Sequence, residues 1–167
     1  YGIKTILNLR GENFYQENSI AATVKTYAKN HNIAINSIEL KSSRVLTQME
    51  LLNIINILDN VPKPLLVHCK NGVDRTGLVS AIARILDNQS LETAWQEFTW
   101  TKGFMPNREA GILKILIEDY QKWLVDNNLV SNREYFVKWA KKHYIPYYYR
   151  AKIELVEPMH TISTYQP

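Results

Sequence analysis

A chain of 167 residues, 46% hydrophobic and 22% charged, has the composition of a globular protein and room for one domain with its own core. Its net charge of +4 suits a phosphate-bearing substrate, an anionic lipid or nucleic acid, and chooses none of them. The single cysteine excludes an intramolecular disulfide, and no apolar run approaches the roughly 20 residues of a membrane helix.

The chain opens on Tyr1, almost inside a strand. A truncated or processed N-terminus is expected, and with it a soluble protein that is cytoplasmic or exported. Ile3, Ile6, Leu7 and Leu9 predict a short buried strand, and residues 8–13 a turn punctuated by Gly11. Arg10, at the strand's end, is placed to reach an anion; an ion pair with Glu12 or Glu39 is the alternative. Ile20, Val24, Tyr27 and Ala28 recur at helical spacing over Ser19–Asn30. Ile33, Ile35, Ile38 and Leu40 predict a second strand, and residues 41–44 a polar loop. Thr47 and Glu50 have the spacing of a capping box, ahead of a helix whose apolar stripe is Leu51, Ile54, Ile55 and Leu58. Residues 60–64 break it, and residues 65–67 predict the central strand.

The next helix carries Leu78, Ala81, Ile82 and Ile85 on its core face and ends at residues 87–89. Leu91, Ala94, Trp95 and Phe98 begin another. After a turn at residues 101–103, Ile112, Ile115, Leu116, Tyr120, Trp123 and Leu124 trace a long amphipathic helix. Ser131 and Glu134 have the spacing of a second capping box, before a helix with Phe136, Ala140 and His143 on one face. Strand, helix, strand, helix, strand and then helices predict a layered α/β domain. The sequence shows neither an internal repeat nor a low-complexity tract.

Between the third strand and its helix lies Val67-His68-Cys69-Lys70-Asn71-Gly72-Val73-Asp74-Arg75-Thr76-Gly77. Gly72 permits backbone conformations closed to other residues. The successive N–H groups of such a loop form a nest for an anion, and a helix starting near Arg75 adds its positive end. Such surroundings lower a thiol's pKa from about 8.5 to roughly 3.5–7.5, so Cys69 is the candidate nucleophile. Arg75 offers a planar fork to two phosphate oxygens. Thr76 can donate its hydroxyl to the sulfur, and Lys70, Asn71, Gly72, Val73 and Gly77 complete the phosphate-binding loop. A plain core cysteine beside a helix-capping threonine would not need the glycine and the arginine at these positions.

Asp74 faces any bound phosphate. Repulsion would raise its pKa and fit it to protonate a leaving oxygen; a pairing with a loop amide or with Lys70 is the alternative. Glu39 is the other carboxylate candidate. His31, His68, His143 and His160 lack metal-ligand spacing. No metal or cofactor is expected, and only His68 is assigned a role, orienting the loop. Trp95, Trp100, Trp123 and Trp139 are expected in the core. No strand alternates aromatics as a base-stacking surface would, so nucleic acid is not an expected partner.

His68-Cys69, five residues, then Arg75-Thr76 resembles the signature of the cysteine-dependent protein tyrosine and dual-specificity phosphatases. Phe104-Met105-Pro106-Asn107 with Gly111-Ile112-Leu113 resembles a second segment of the dual-specificity members. Gly2-Ile3-Lys4-Thr5-Ile6-Leu7-Asn8-Leu9-Arg10-Gly11 resembles the early strand and turn of bacterial and atypical ones. The resemblance covers roughly residues 1–124. It implies a three-layer fold, a central, mostly parallel sheet flanked by helices, with a catalytic domain over 1–124 and a helical extension with a basic, aromatic tail over 125–167.

It also implies a metal-independent phosphomonoesterase that works through a phosphocysteine, with Asn107 positioning water. The family's usual acid is an aspartate after the second strand. This chain has no Asp between residues 30 and 58, whereas myotubularin-like and some bacterial relatives carry Asp before the Arg, as Asp74 stands here. Phosphotyrosine proteins are the family's default substrate. Lys70 also occurs in phosphoinositide-cleaving relatives, so a phosphoinositide or inositol phosphate is the alternative. Two further classes are a non-catalytic phosphate-binding module and a sulfur-transfer protein; the intact Cys69, Arg75 and Thr76 argue against both. The tail, residues 141–150, reads either as a contact for an anionic membrane or partner, or as tyrosines packed back on the domain. The oligomeric state is left open.

Overall fold

The structure, a computed structural model, describes residues 2–17, 19–105 and 109–146. Three strands, β1 (Thr5–Asn8), β2 (Ala34–Ser37) and β3 (Leu65–His68), form a parallel sheet in the order β2-β1-β3. Parallel neighbours require crossover connections, and both connections carry helices: α1 (Phe14–Glu17) and α2 (Ser19–Asn30) in the first, α3 (Gln48–Asn60) in the second. The strand expected at the centre, β3, is an edge of the described sheet. The central place belongs to β1, which is buried over its whole length and pairs on both sides, Leu7 lying opposite Asn36 and Val67.

Side chains alternate across the sheet. Leu7 and Leu9 enter the main core with Leu51 and Ile54 of α3 and with Leu78 and Ile82 of α4 (Asp74–Leu86). Ile6 and Leu66 turn to the opposite face, where they meet Ala21 and Val24 of α2. The result is a helix–sheet–helix arrangement of three layers. On α2 the buried positions are Ala21 and Ala28, while Val24 and Tyr27 are exposed. Tyr27 instead stacks on His31, with ring centres 3.8 Å apart.

The capping box at Thr47 forms as its spacing predicts: Thr47 accepts from the Glu50 amide, and Glu50 accepts from that of Thr47. Arg44 grips the same carboxylate with two hydrogen bonds of 2.8 and 2.7 Å. The stripe Leu51, Ile54, Ile55 and Leu58 is buried. Beyond α4 come α5 (Leu91–Trp95), short 3-10 turns, α6 (Ile115–Asp126) and α7 (Arg133–Lys142). No described helix is long and apolar enough to cross a membrane.

Two expectations are corrected in this part of the chain. The cap of α7 is Asn132, whose extended backbone lets its side chain accept from the Tyr135 amide at 2.8 Å. Ser131 stands one residue further out, where its hydroxyl donates to Tyr120. Trp100 is not a core residue: it sits on a surface turn, 73% exposed, whereas Trp139 is buried. Phe136, Trp139, Ala140 and Tyr144 join the same core as β1 and α4, and the Tyr144 hydroxyl donates to the Leu46 carbonyl at 2.5 Å. His143 lies outside the core and stacks on Trp123. The tyrosines of the tail, Tyr147, Tyr148 and Tyr149, fall outside the described residues.

Candidate active site

β3 ends at His68, and α4 begins at Asp74. The five residues between them form a tight loop around a buried Cys69. Gly72 has φ +72°, and a Cβ added there would meet nothing within 4 Å; the backbone conformation, not space, calls for glycine. Gly77 is needed for space. A Cβ there would lie 3.1 Å from the Glu97 carbonyl, and its amide donates to Val73 O at 2.6 Å.

Burial pushes the Cys69 thiol up, but the net displacement is downward. The opposing contributions are the Thr76 hydroxyl and the amides of Thr76, Asn71 and Gly72, all of which favour the thiolate. Thr76 Oγ1 is buried without a well-formed hydrogen bond among the described residues, and it stands close enough to the Cys69 sulfur to favour the thiolate. The loop thus concentrates donors where an anion would sit.

Arg75 reaches under the sheet's C-terminal edge. Its Nη1 donates to Leu40 O at 3.0 Å and to Leu9 O at 3.3 Å. These carbonyls fix the guanidinium from one side. Asp74 opens the first turn of α4, half-buried. Lys70 and Asn71 are exposed at the mouth of the loop, and Val73 and Thr76 are half-buried. Among the described residues, no three His, Cys, Asp or Glu side chains are grouped as ligands of a metal.

His68 lies behind Cys69. Its Nδ1 faces the Cys69 carbonyl and its Nε2 faces the Tyr15 hydroxyl, each at 3.4 Å. A carbonyl can only accept, so Nδ1 carries the proton and Nε2 accepts from Tyr15. Burial, together with the charge of Arg10, lowers the His68 pKa against the pull of that carbonyl. The ring is therefore held neutral.

Arg10 makes an isolated backbone bridge with Glu39, and its guanidinium lies 3.8 Å over the ring of Phe14. The carboxylate of Glu39 is bonded to Lys41, which holds its pKa below the usual range. Arg10, Gly11, Glu12, Asn13, Phe14, Ser37 and Glu39 line a cavity of about 710 Å³. It adjoins the loop: Leu9 and Leu40, one residue from Arg10 and Glu39, are the acceptors of Arg75. Asn107 lies outside the described residues.

Two supporting residues escaped the sequence reading. Tyr15 belongs to α1, four residues long and too short to show a period. Glu97 is buried in a 3-10 turn, where it binds Arg84 and Lys102 at 2.6 Å each. Only its charge, between Trp95 and Phe98 of the apolar stripe, could have flagged it.

Residues 1–109 match the model of a family described as DSP-PTPase phosphatase fused to NAD+ kinase. No curated protein matches significantly. Among solved structures, the chain is similar to the core catalytic domain of the PP-IP phosphatase Siw14 from S. cerevisiae in complex with citrate. The identity is 22%, the TM-score 0.52, and the match covers 75% of this chain and 76% of the other. A second structure of the Siw14 catalytic core matches at 20% identity and TM-score 0.51, over 75% of each chain. At these identities the likeness concerns the fold, a mixed α/β domain with a small parallel sheet between helices.

Proposed function

The chain belongs to the family described as DSP-PTPase phosphatase fused to NAD+ kinase, and from that premise we propose that it hydrolyses phosphomonoesters through a phosphocysteine at Cys69. The observation that carries this reading is the set of donors gathered on a buried thiol, which lowers its pKa despite burial. A structural cysteine has no use for such an arrangement.

The thiolate attacks phosphorus in line. The S–P bond forms as the bond to the leaving oxygen breaks, and Asp74 gives that oxygen its proton. Arg75 and the loop amides hold the equatorial oxygens as charge builds. Water then attacks phosphorus as it gives a proton back to the Asp74 carboxylate; the S–P bond breaks, phosphate departs, and the sulfur leaves as a thiolate beside the Thr76 hydroxyl. Asp74 is preferred to Glu39 as the acid because Lys41 keeps Glu39 ionised. The catalytic unit spans residues 1–124, and the last helix extends it.

Two substrate classes follow. Phosphorylated protein side chains, phosphotyrosine first, are the default of dual-specificity phosphatases. Phosphoinositides or inositol phosphates are the second reading, supported by the exposed Lys70 directly after the nucleophile and by the fold likeness to a protein named as a PP-IP phosphatase.

The test is phosphate release, with chelator present, from a phosphotyrosine peptide, a phosphothreonine peptide, a phosphoinositide panel and p-nitrophenyl phosphate. Wild type should turn over and Cys69→Ser should not, while still binding phosphate. Comparable turnover by the serine variant would rule the mechanism out.

A further inference from the structure

The turn after β1 is built with unusual care for a surface loop. The buried Asn8 side chain accepts from the Arg10 amide at 2.9 Å and donates to Gly11 O at 2.8 Å. Gly11, at φ +82°, leaves room for Glu39, whose Cβ would lie 3.1 Å from a Cβ at Gly11. The backbone of Arg10 is thereby fixed on both sides, and its guanidinium carbon lies 3.8 Å from the centre of the Phe14 ring. Stacking of this kind orients an arginine without consuming its hydrogen-bond donors.

Arg10 forms no ion pair among the described residues, and its guanidinium lies over the Phe14 ring. Two acids share the cavity wall with it: Glu39 is bonded to Lys41, and Glu12 is exposed. A cation with no ion pair among the described residues, in the wall of a cavity of about 710 Å³, is an anion-binding group awaiting a ligand. Its neighbour Leu9 holds Arg75 by its carbonyl. Phe14, beneath it, lies 5.9 Å from the ring of His68. The cation therefore stands beside the loop that holds Cys69.

We propose that Arg10 is the specificity-determining residue of a second anion subsite, and that the preferred substrate is a phosphomonoester whose leaving group carries another anionic group. The reading rests on the phosphatase function proposed above and narrows its substrate. The rest of the lining fits the scaffold between the two anions. Glu12, Asn13 and Ser37 offer acceptors and donors to hydroxyl groups, whereas the one aromatic ring, Phe14, is covered by Arg10. A hydroxylated scaffold such as a phosphorylated polyol fits this cavity; the flat ring of phosphotyrosine finds no open aromatic face in it. Cys69 cleaves one ester in the manner already described, and the second anion takes no part in bond making.

The experiment compares fructose bisphosphate with fructose monophosphate, which differ only by the second anion, on the full chain. In Cys69→Ser, calorimetry should show the bisphosphate binding about tenfold more tightly, the scale of one charge-assisted contact, and less so at high salt. Adding Arg10→Gln should bring the two affinities together, and Arg10→Lys should restore part of the difference. In the catalytic chain the same preference should appear in kcat/KM, mainly through KM, and collapse in Arg10→Gln. Equal affinities in Cys69→Ser, or a preference that survives Arg10→Gln, would overturn the subsite. Loss of turnover on p-nitrophenyl phosphate in wild type, with the binding preference intact, would instead overturn the catalytic reading and leave the subsite standing.

Discussion

Arg75 Nη1 donates to the Leu40 carbonyl at 3.0 Å, joining residues 35 positions apart in the chain. The bond spans from the first turn of α4 to the segment just after β2, so the guanidinium is oriented before any phosphate arrives. Preorganised donors of this kind are worth more in a buried site than in water, because they need no rearrangement as charge develops. Lysine would keep the charge and lose the fork. Arg75→Lys should therefore lower kcat/KM by about 10²–10³-fold, the scale for removing one such donor. The check is steady-state kinetics on p-nitrophenyl phosphate beside an unchanged melting curve.

The buried Thr76 hydroxyl favours the Cys69 thiolate, so its removal should show at the sulfur. A thiol reacts as its thiolate, and reactivity appears as pH rises through the folded pKa. That pKa is lowered here, so alkylation by iodoacetamide should set in at lower pH than for an ordinary cysteine. Thr76→Ala should move the onset upward. It should also slow breakdown of the phosphocysteine, giving a burst of leaving group before the steady state. An onset unmoved by the substitution would detach Thr76 from the sulfur.

The loop was legible in the sequence because it is local: Cys69, Gly72, Arg75 and Thr76 are fixed by spacing along one stretch. The same holds for the Thr47 box and the stripes of α3 and α4, where cap and periodicity lie within one element. What could not be read depends on pairing between distant segments. The edge position of β3 follows from β1 pairing on both sides, which its own four residues do not encode. The displacement of the α7 cap from Ser131 to Asn132 is a one-residue choice between two capping side chains, settled by Tyr120 engaging the serine. Arg10 shows the limit most clearly. Its sequence offers Glu12 and Glu39 as partners, yet the fold gives Glu39 to Lys41 and lays Arg10 on Phe14.

Asp74 can be tested through the leaving group. General acid catalysis contributes about 10²–10⁴-fold where the departing oxygen is strongly basic, and little where it leaves unaided. Asp74→Asn should lower kcat on an alkyl phosphate by that order and on p-nitrophenyl phosphate far less. Glu39→Gln should show no such contrast, since its carboxylate is bound to Lys41 and held ionised. A leaving-group dependence created by Glu39→Gln and absent from Asp74→Asn would exchange their roles.

Glu97 braces the loop from behind. Its carboxylate binds Arg84 and Lys102, and its peptide oxygen abuts Gly77. Lys102 leads into Gly103, where an added Cβ would lie 3.3 Å from Val73 of the loop. Breaking a buried pair from one side costs about 3–5 kcal/mol. Arg84 and Lys102 are 32% and 44% exposed, so solvent screening reduces this to about 2 kcal/mol for Glu97→Gln. Burial pushes the Glu97 pKa up, but the two cations outweigh it and the net displacement is downward. A carboxyl with a depressed folded pKa stabilises fully above its unfolded value of 4.5, and the contribution fades as pH falls through the folded pKa. The stability gap between wild type and Glu97→Gln should accordingly be constant at neutral pH and narrow below about 4.5. Urea unfolding at both pH values measures this directly, and a gap that widened in acid would show that Glu97 is not held ionised by its two cations.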